Sequence, residues 1–84
     1  MEPFKYDWVV RYYPIGKPQT MRTFAGFKES GKPSYTGKVE NIKMFRLHKE
    51  AFEVARQLID TQEYIADVFK IRAGRNDHFY FVRG

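Results

Sequence analysis

Cysteine is absent from this chain of 84 residues. That excludes a disulfide framework and any thiolate metal site, and it fits a reducing compartment. There are only two histidines. His48 and His78 stand too far apart for an H-x-x-x-H pair, so no metal-ligand spacing is present. No apolar run approaches the roughly 20 residues that a membrane helix needs. The opening MEPFKYDWVV has no basic run followed by a long apolar one, so no secretory leader is expected there. A phosphate-cradling loop is also missing. GFKESGK has the G-x-x-x-x-G-K spacing, but Pro33 stands where Ser or Thr would hold a metal-bound nucleotide. Low-complexity segments and internal repeats are lacking as well.

What is present is charge and aromatic rings. The net charge is +5, and eight Phe, six Tyr and one Trp make up 18% of the residues. Such rings suit strands and sheet packing. The charge is unevenly spread. Residues 11–49 carry nine Lys or Arg against Glu29 and Glu40. Residues 50–67 carry Arg56 alone against Glu50, Glu53, Asp60, Glu63 and Asp67. The acidic stretch is the most helical one, so the helix side is expected to be acidic and the sheet side basic.

Periodicity gives the elements. Residues 4–13 alternate, with Phe4, Tyr6, Trp8, Val10 and Tyr12 on one face and Lys5, Asp7, Val9, Arg11 and Tyr13 on the other. That is the mark of a half-buried strand. PIGKPQ breaks it as a turn. Residues 20–27 form a second strand, whose apolar set reads as Met21, Ala25 and Phe27, with Thr20, Arg22 and Phe24 opposite. KESGKPS is another turn, SYTG suits a short third strand, and KVENIKMF is a connector without a clear period. Ala51, Val54, Ala55, Leu58 and Ile59 form one apolar stripe of a helix. Leu47 precedes it, so no polar side chain caps its start. YIADVFKIRAGRNDHFYFVR reads as a closing hairpin turned by AGRND, with Ile65, Phe69 and Ile71 on one face and Phe79 and Phe81 together on the returning strand. The expected fold is a single α+β domain over residues 1–84, an antiparallel sheet of four or five strands with one amphipathic helix on one face, in the order β-β-(β)-α-β-β.

If the larger apolar sets face the helix, the open sheet face collects Arg11, Tyr13, Arg22, Phe24, Val68, Lys70, Arg72 and Tyr80. Cations interleaved with rings suit nucleic acid, because the cations neutralise phosphates and the rings stack on bases. Lys28 and Lys32 in the neighbouring turn extend that surface. The expected nucleic-acid-binding residues are therefore Arg11, Tyr13, Arg22, Phe24, Lys28, Lys32, Lys70 and Arg72. The same alternation is also what strand propensity alone produces on a wet sheet face. Glu50 and Glu53, one turn apart, read as a solvated helix face near its positive end rather than an acid–base pair. No catalytic residue, metal or cofactor is expected.

Two resemblances add to this. DWVVRYYPIGKPQTMRTFAGF, with the later FRLHKEAFEVARQL, resembles the arm-type DNA-binding domain of tyrosine recombinases. There a W-x-x-R-Y strand leads through a Gly-Lys turn to a strand ending in G-F, then to a helix opening with E-A. That resemblance implies that Arg11, Tyr13 and Arg22 meet DNA. Here residues 28–49 intervene between the G-F and the E-A, a longer connector than that family uses. SYTGKVENIKMFRLHKEAFEVARQLI with ADVFKI is similar to small phage and prophage α+β proteins of unassigned activity. It implies a mobile-element origin and the cytoplasm of a host cell as the setting. The expectation is a non-enzymatic module that binds DNA or RNA. The alternative is an inhibitor or adaptor acting on a host protein complex, for example a defence complex. Oligomeric state stays open, since an edge strand could pair with a copy of itself.

Overall fold

Trp8 to Pro14 form the strand that organises the molecule, because it is central and buried on both sides. Val9 and Val10 are each 0% exposed although they point to opposite faces. In the computed structural model, which describes residues 6–76 and 78–84, this strand is β1 (Trp8–Pro14). It is followed by β2 (Arg22–Phe27), β3 (Pro33–Thr36), α1 (His48–Asp60), β4 (Tyr64–Ala73) and β5 (Phe79–Arg83). Short 3-10 turns at Pro18–Thr20 and Val39–Asn41 punctuate the connections. The sheet order is β3-β2-β1-β4-β5, with every pairing antiparallel. This is the expected small α+β fold with a single helix. The expected placements of Phe4 and Lys5 in the first strand, and of Asp77 in the last turn, lie outside the described residues.

α1 packs across β1 and β4. Ala51, Ala55 and Leu58 are buried against Val10, Tyr12, Phe24 and Val68, with Trp8, Phe45, Val54, Tyr64 and Ala66 around them. Ile59, read into the stripe, is 44% exposed. The helix start lacks a side-chain cap. The Glu50 carboxylate instead accepts a hydrogen bond from the Leu47 N–H at 3.0 Å and lies near the positive helix end.

The other sheet face is covered over part of its area. Val9, Phe69 and Ile71 are buried beneath the connector, whose Val39, Ile42 and Met44 join Phe79 and Phe81 in a second apolar cluster. The segment that lacked a period is thus a strap across the sheet. It then runs alongside the sheet, where the Lys43 N–H donates to the Phe24 carbonyl at 3.1 Å and Phe45 bridges Trp8.

This strap corrects the premise that the larger apolar sets face the helix. In β4 the pairing Val10↔Val68 and Tyr12↔Ala66 puts the smaller residues beneath α1. Small side chains let the helix approach closely, while the bulky Phe69, Ile71, Phe79 and Phe81 find cover under the strap.

Candidate nucleic-acid interface

Strand register decides which side each candidate occupies. β1 and β2 pair Arg11 with Thr23 and Tyr12 with Arg22. Residues directly opposite share a face, so Arg22 and Phe24 lie on the helix side and Arg11 and Tyr13 on the strap side. The strand-2 set expected to be apolar is thereby replaced by Phe24. A bulge between Phe24 and Gly26 accompanies this, and Gly26 carries the φ of 118° that favours glycine there.

The eight expected residues therefore do not form one open surface. Phe24 is 1% exposed, edge-on to Tyr12 and to Phe27, and forms core rather than a stacking platform. Lys70 and Arg72 lie on the helix side and are held by Asp7, whose Oδ2 is 3.0 Å from Arg72 Nη1 and 3.7 Å from Lys70 Nζ. Lys70 also sits 4.7 Å above the Trp8 ring. Val68 is buried beneath the helix and Tyr80 is exposed on the helix side. Arg11 and Tyr13 stay together, as expected, on the strap side. Lys28 and Lys32 occupy the exposed β2–β3 turn, closed by the Lys28 N–H donating to the Lys32 carbonyl at 2.8 Å.

A different grouping appears beside the helix. Because α1 lies over β1 and β4, the helix-side face of the β2–β3 ladder forms a shelf next to it. Arg22 stacks on Tyr35, with its guanidinium carbon 4.3 Å from the ring centroid. Tyr35 is 59% and Phe27 47% exposed. Lys43, from the strap, comes alongside β2 at Phe24. Lys28 and Lys32 cap the far end. Sequence reasoning missed Tyr35, Phe27 and Lys43. The signal for the first two was Thr23, a small polar residue that lies buried on the strap side and so sets the parity of β2.

Ion pairing follows the same division. Every salt bridge among the described residues uses a carboxylate of α1, β4 or Asp7: Arg56 with Glu53 and Asp60, Lys70 and Arg72 with Asp7, and Arg83 with Asp67. The Arg56 hydrogen bond holds the Glu53 carboxyl below its ordinary range. Lys17, Arg22, Lys28, Lys32, Lys38 and Lys43 have no such partner among the described residues. Arg11, Arg46, Lys49 and Arg75 also lack one among the described residues, so cations without an ion pair gather toward the β2–β3 end and the strap but are not confined to them.

His48 packs edge-on against Trp8 at 4.9 Å and stacks on Phe52 at 6.1 Å. Among the described residues, no group of three or more His, Cys, Asp or Glu side chains is placed to hold a metal ion. No described helix is long and apolar enough to cross a membrane. No protein-family model, curated protein or solved structure matches this chain, so any functional reading rests on these residues alone.

Proposed function

We propose that the protein is a non-enzymatic binding module of phage or mobile-element type that grips nucleic acid through the β2–β3 end of its sheet. The observation that carries this reading is the shelf itself, where Arg22 stacks on Tyr35 beside exposed Phe27, flanked by Lys28 and Lys32 in the β2–β3 turn and by Lys43 on the strap, none of them ion-paired among the described residues. Unpaired cations neutralise phosphates and release counterions, and exposed rings stack on unpaired bases. The ring-and-lysine mixture favours single strands over an undistorted duplex, whose bases are already stacked.

Titration of single-stranded and duplex DNA and RNA at several salt concentrations tests it. Binding should weaken steeply with salt, and each lysine removed from the turn should reduce the logarithmic slope by roughly 1. Absence of binding at low salt overturns the reading.

A second reading, a protein-binding inhibitor or adaptor, draws on α1. Phe52 is 53% exposed beside the acidic Glu53 and Asp60. An exposed ring amid charge is a common anchor for protein partners. A partner that survives nuclease treatment and is lost with Phe52→Asp, but not with Lys28→Glu and Lys32→Glu together, favours this reading.

A further inference from the structure

On the strap side, a cavity of about 410 Å³ opens between β2, the strap and β5. That volume lies within the range of small-molecule sites, roughly 300–1,000 Å³. Its walls are of two kinds. Met21, Ile42, Phe79 and Phe81 supply an apolar and aromatic side, while Arg11 and Thr23 supply a polar one. Phe79 and Phe81 meet edge to face, 5.7 Å between centroids.

Arg11 is the unusual group. It is half-buried in the middle of the sheet and makes no ion pair among the described residues. Its Nε donates to Thr23 Oγ1 at 3.3 Å, and its guanidinium carbon lies 4.4 Å from the centroid of Phe81. The carboxylate opposite it in register, Asp67, is engaged elsewhere, with Arg83 on Oδ2 and the Val68 N–H on Oδ1. A cation partly removed from water without a counter-charge is costly, and a bound anion offsets that cost. Burial accordingly lowers the Arg11 pKa from its ordinary value. Stacking on Phe81 fixes the guanidinium plane, and its remaining N–H groups suit two-pronged contact with an oxoanion.

We propose that this cavity binds a small planar organic anion, a ring system carrying one carboxylate or phosphate, with Arg11 on the anion and Phe79 and Phe81 against the ring. The Thr23 hydroxyl accepts from Arg11 and keeps its own proton to donate to the same anion. The site touches the proposed shelf at Arg22 and Tyr35, which also line the cavity, but it uses neither the turn lysines nor Phe27, so variants there separate the two readings.

The test uses the isotope-labelled full chain, titrated with indole-3-acetate, benzoate and adenosine monophosphate, and with benzamide and adenosine as neutral counterparts. The anions should give saturable shifts of the Thr23 amide and the Arg11 Nε–H, with the neutral counterparts weaker by about tenfold or more. Stronger binding of the monophosphate identifies phosphate as the preferred head, and stronger binding of the aromatic acids identifies carboxylate. Arg11→Met should abolish saturation. If that variant does not fold, Arg11→Lys keeps the charge and stem but not the two-pronged geometry, and should bind clearly more weakly than wild type. Lys28→Ala with Lys32→Ala should leave these shifts unchanged while weakening oligonucleotide binding, so the two readings fail separately. The proposal is overturned if no probe saturates at millimolar concentration, if neutral and charged members bind equally, or if the Arg11 variants bind like wild type.

Discussion

Tyr12 stands directly across the β1–β2 ladder from Arg22, on the side of the sheet that the helix covers. Tyr12 is 1% exposed. Burial pushes its hydroxyl up from an ordinary 10.0 to about 12, and the Arg22 charge offsets only part of that rise. The pair joins the core to the proposed shelf, since Arg22 reaches from Tyr12 outward to the Tyr35 ring.

An alkaline transition follows. Below pH 10 Tyr12 is neutral in both the folded and unfolded chain and contributes no pH dependence. Between pH 10 and 12 the unfolded chain has released the proton and the folded chain retains it. Stability therefore falls with rising pH, by about 2–3 kcal/mol over that window for this group alone. Urea unfolding across the window should show a shallower decline in Tyr12→Phe than in wild type. Equal slopes would show that Tyr12 is not the titrating group.

Phe24 was expected to stack on bases, yet it fills the space between Tyr12 and Phe27. Phe24→Ala should lower the unfolding free energy by about 3–5 kcal/mol. Phe24→Leu should cost much less and leave oligonucleotide affinity unchanged. Tyr35→Ala should do the reverse, with little effect on stability and a clear loss of binding, worth about 1–3 kcal/mol for one stacked base. Denaturation and titration on the same preparations separate the two roles.

The contrast between these rings shows what the sequence could carry. The alternation of β1 put Trp8, Val10 and Tyr12 together correctly, because a central strand must satisfy both faces. The helix was legible from Ala51, Ala55 and Leu58, and the grouping of Phe69 with Ile71, and of Phe79 with Phe81, also holds. Two things were not legible. β2 is short and bulged, so a shift of one residue exchanged Phe24 for its neighbours. The strap has no period, since Val39, Ile42 and Met44 are spaced by a 3-10 turn and an irregular crossing. Without it, nothing in the sequence said that the Phe79 and Phe81 side was covered.

Asp7 gathers Lys70 and Arg72, two cations that the sequence assigned to a binding face. Its side chain is 21% exposed while that of Arg72 is 42% exposed. Solvent therefore screens the pair, and Asp7→Asn should cost only about 1 kcal/mol, less in high salt. Lys70→Ala and Arg72→Ala should change oligonucleotide affinity far less than Lys28→Ala and Lys32→Ala. Equal losses would return Lys70 and Arg72 to the interface.

The start of α1 has no side-chain cap. Leu47 occupies the N-cap with extended backbone, φ −119° and ψ 144°, which is the geometry a capping serine or threonine adopts. Its own side chain accepts nothing and is 41% exposed. Only half of a capping box is therefore in place, the Glu50 carboxylate on the Leu47 N–H. Leu47→Ser supplies a side-chain acceptor for the first-turn amides, where the Glu50 N–H now has only the Leu47 carbonyl at 3.2 Å, without removing a buried group. It should stabilise the protein by about 1 kcal/mol. For a domain of this size that raises the Tm by roughly 4–8 °C. Pairing it with Glu50→Ala should reduce the gain, because the two halves of the box act on one turn. A Tm that falls with Leu47→Ser would mean that the Leu47 side chain packs usefully against its neighbours despite its exposure.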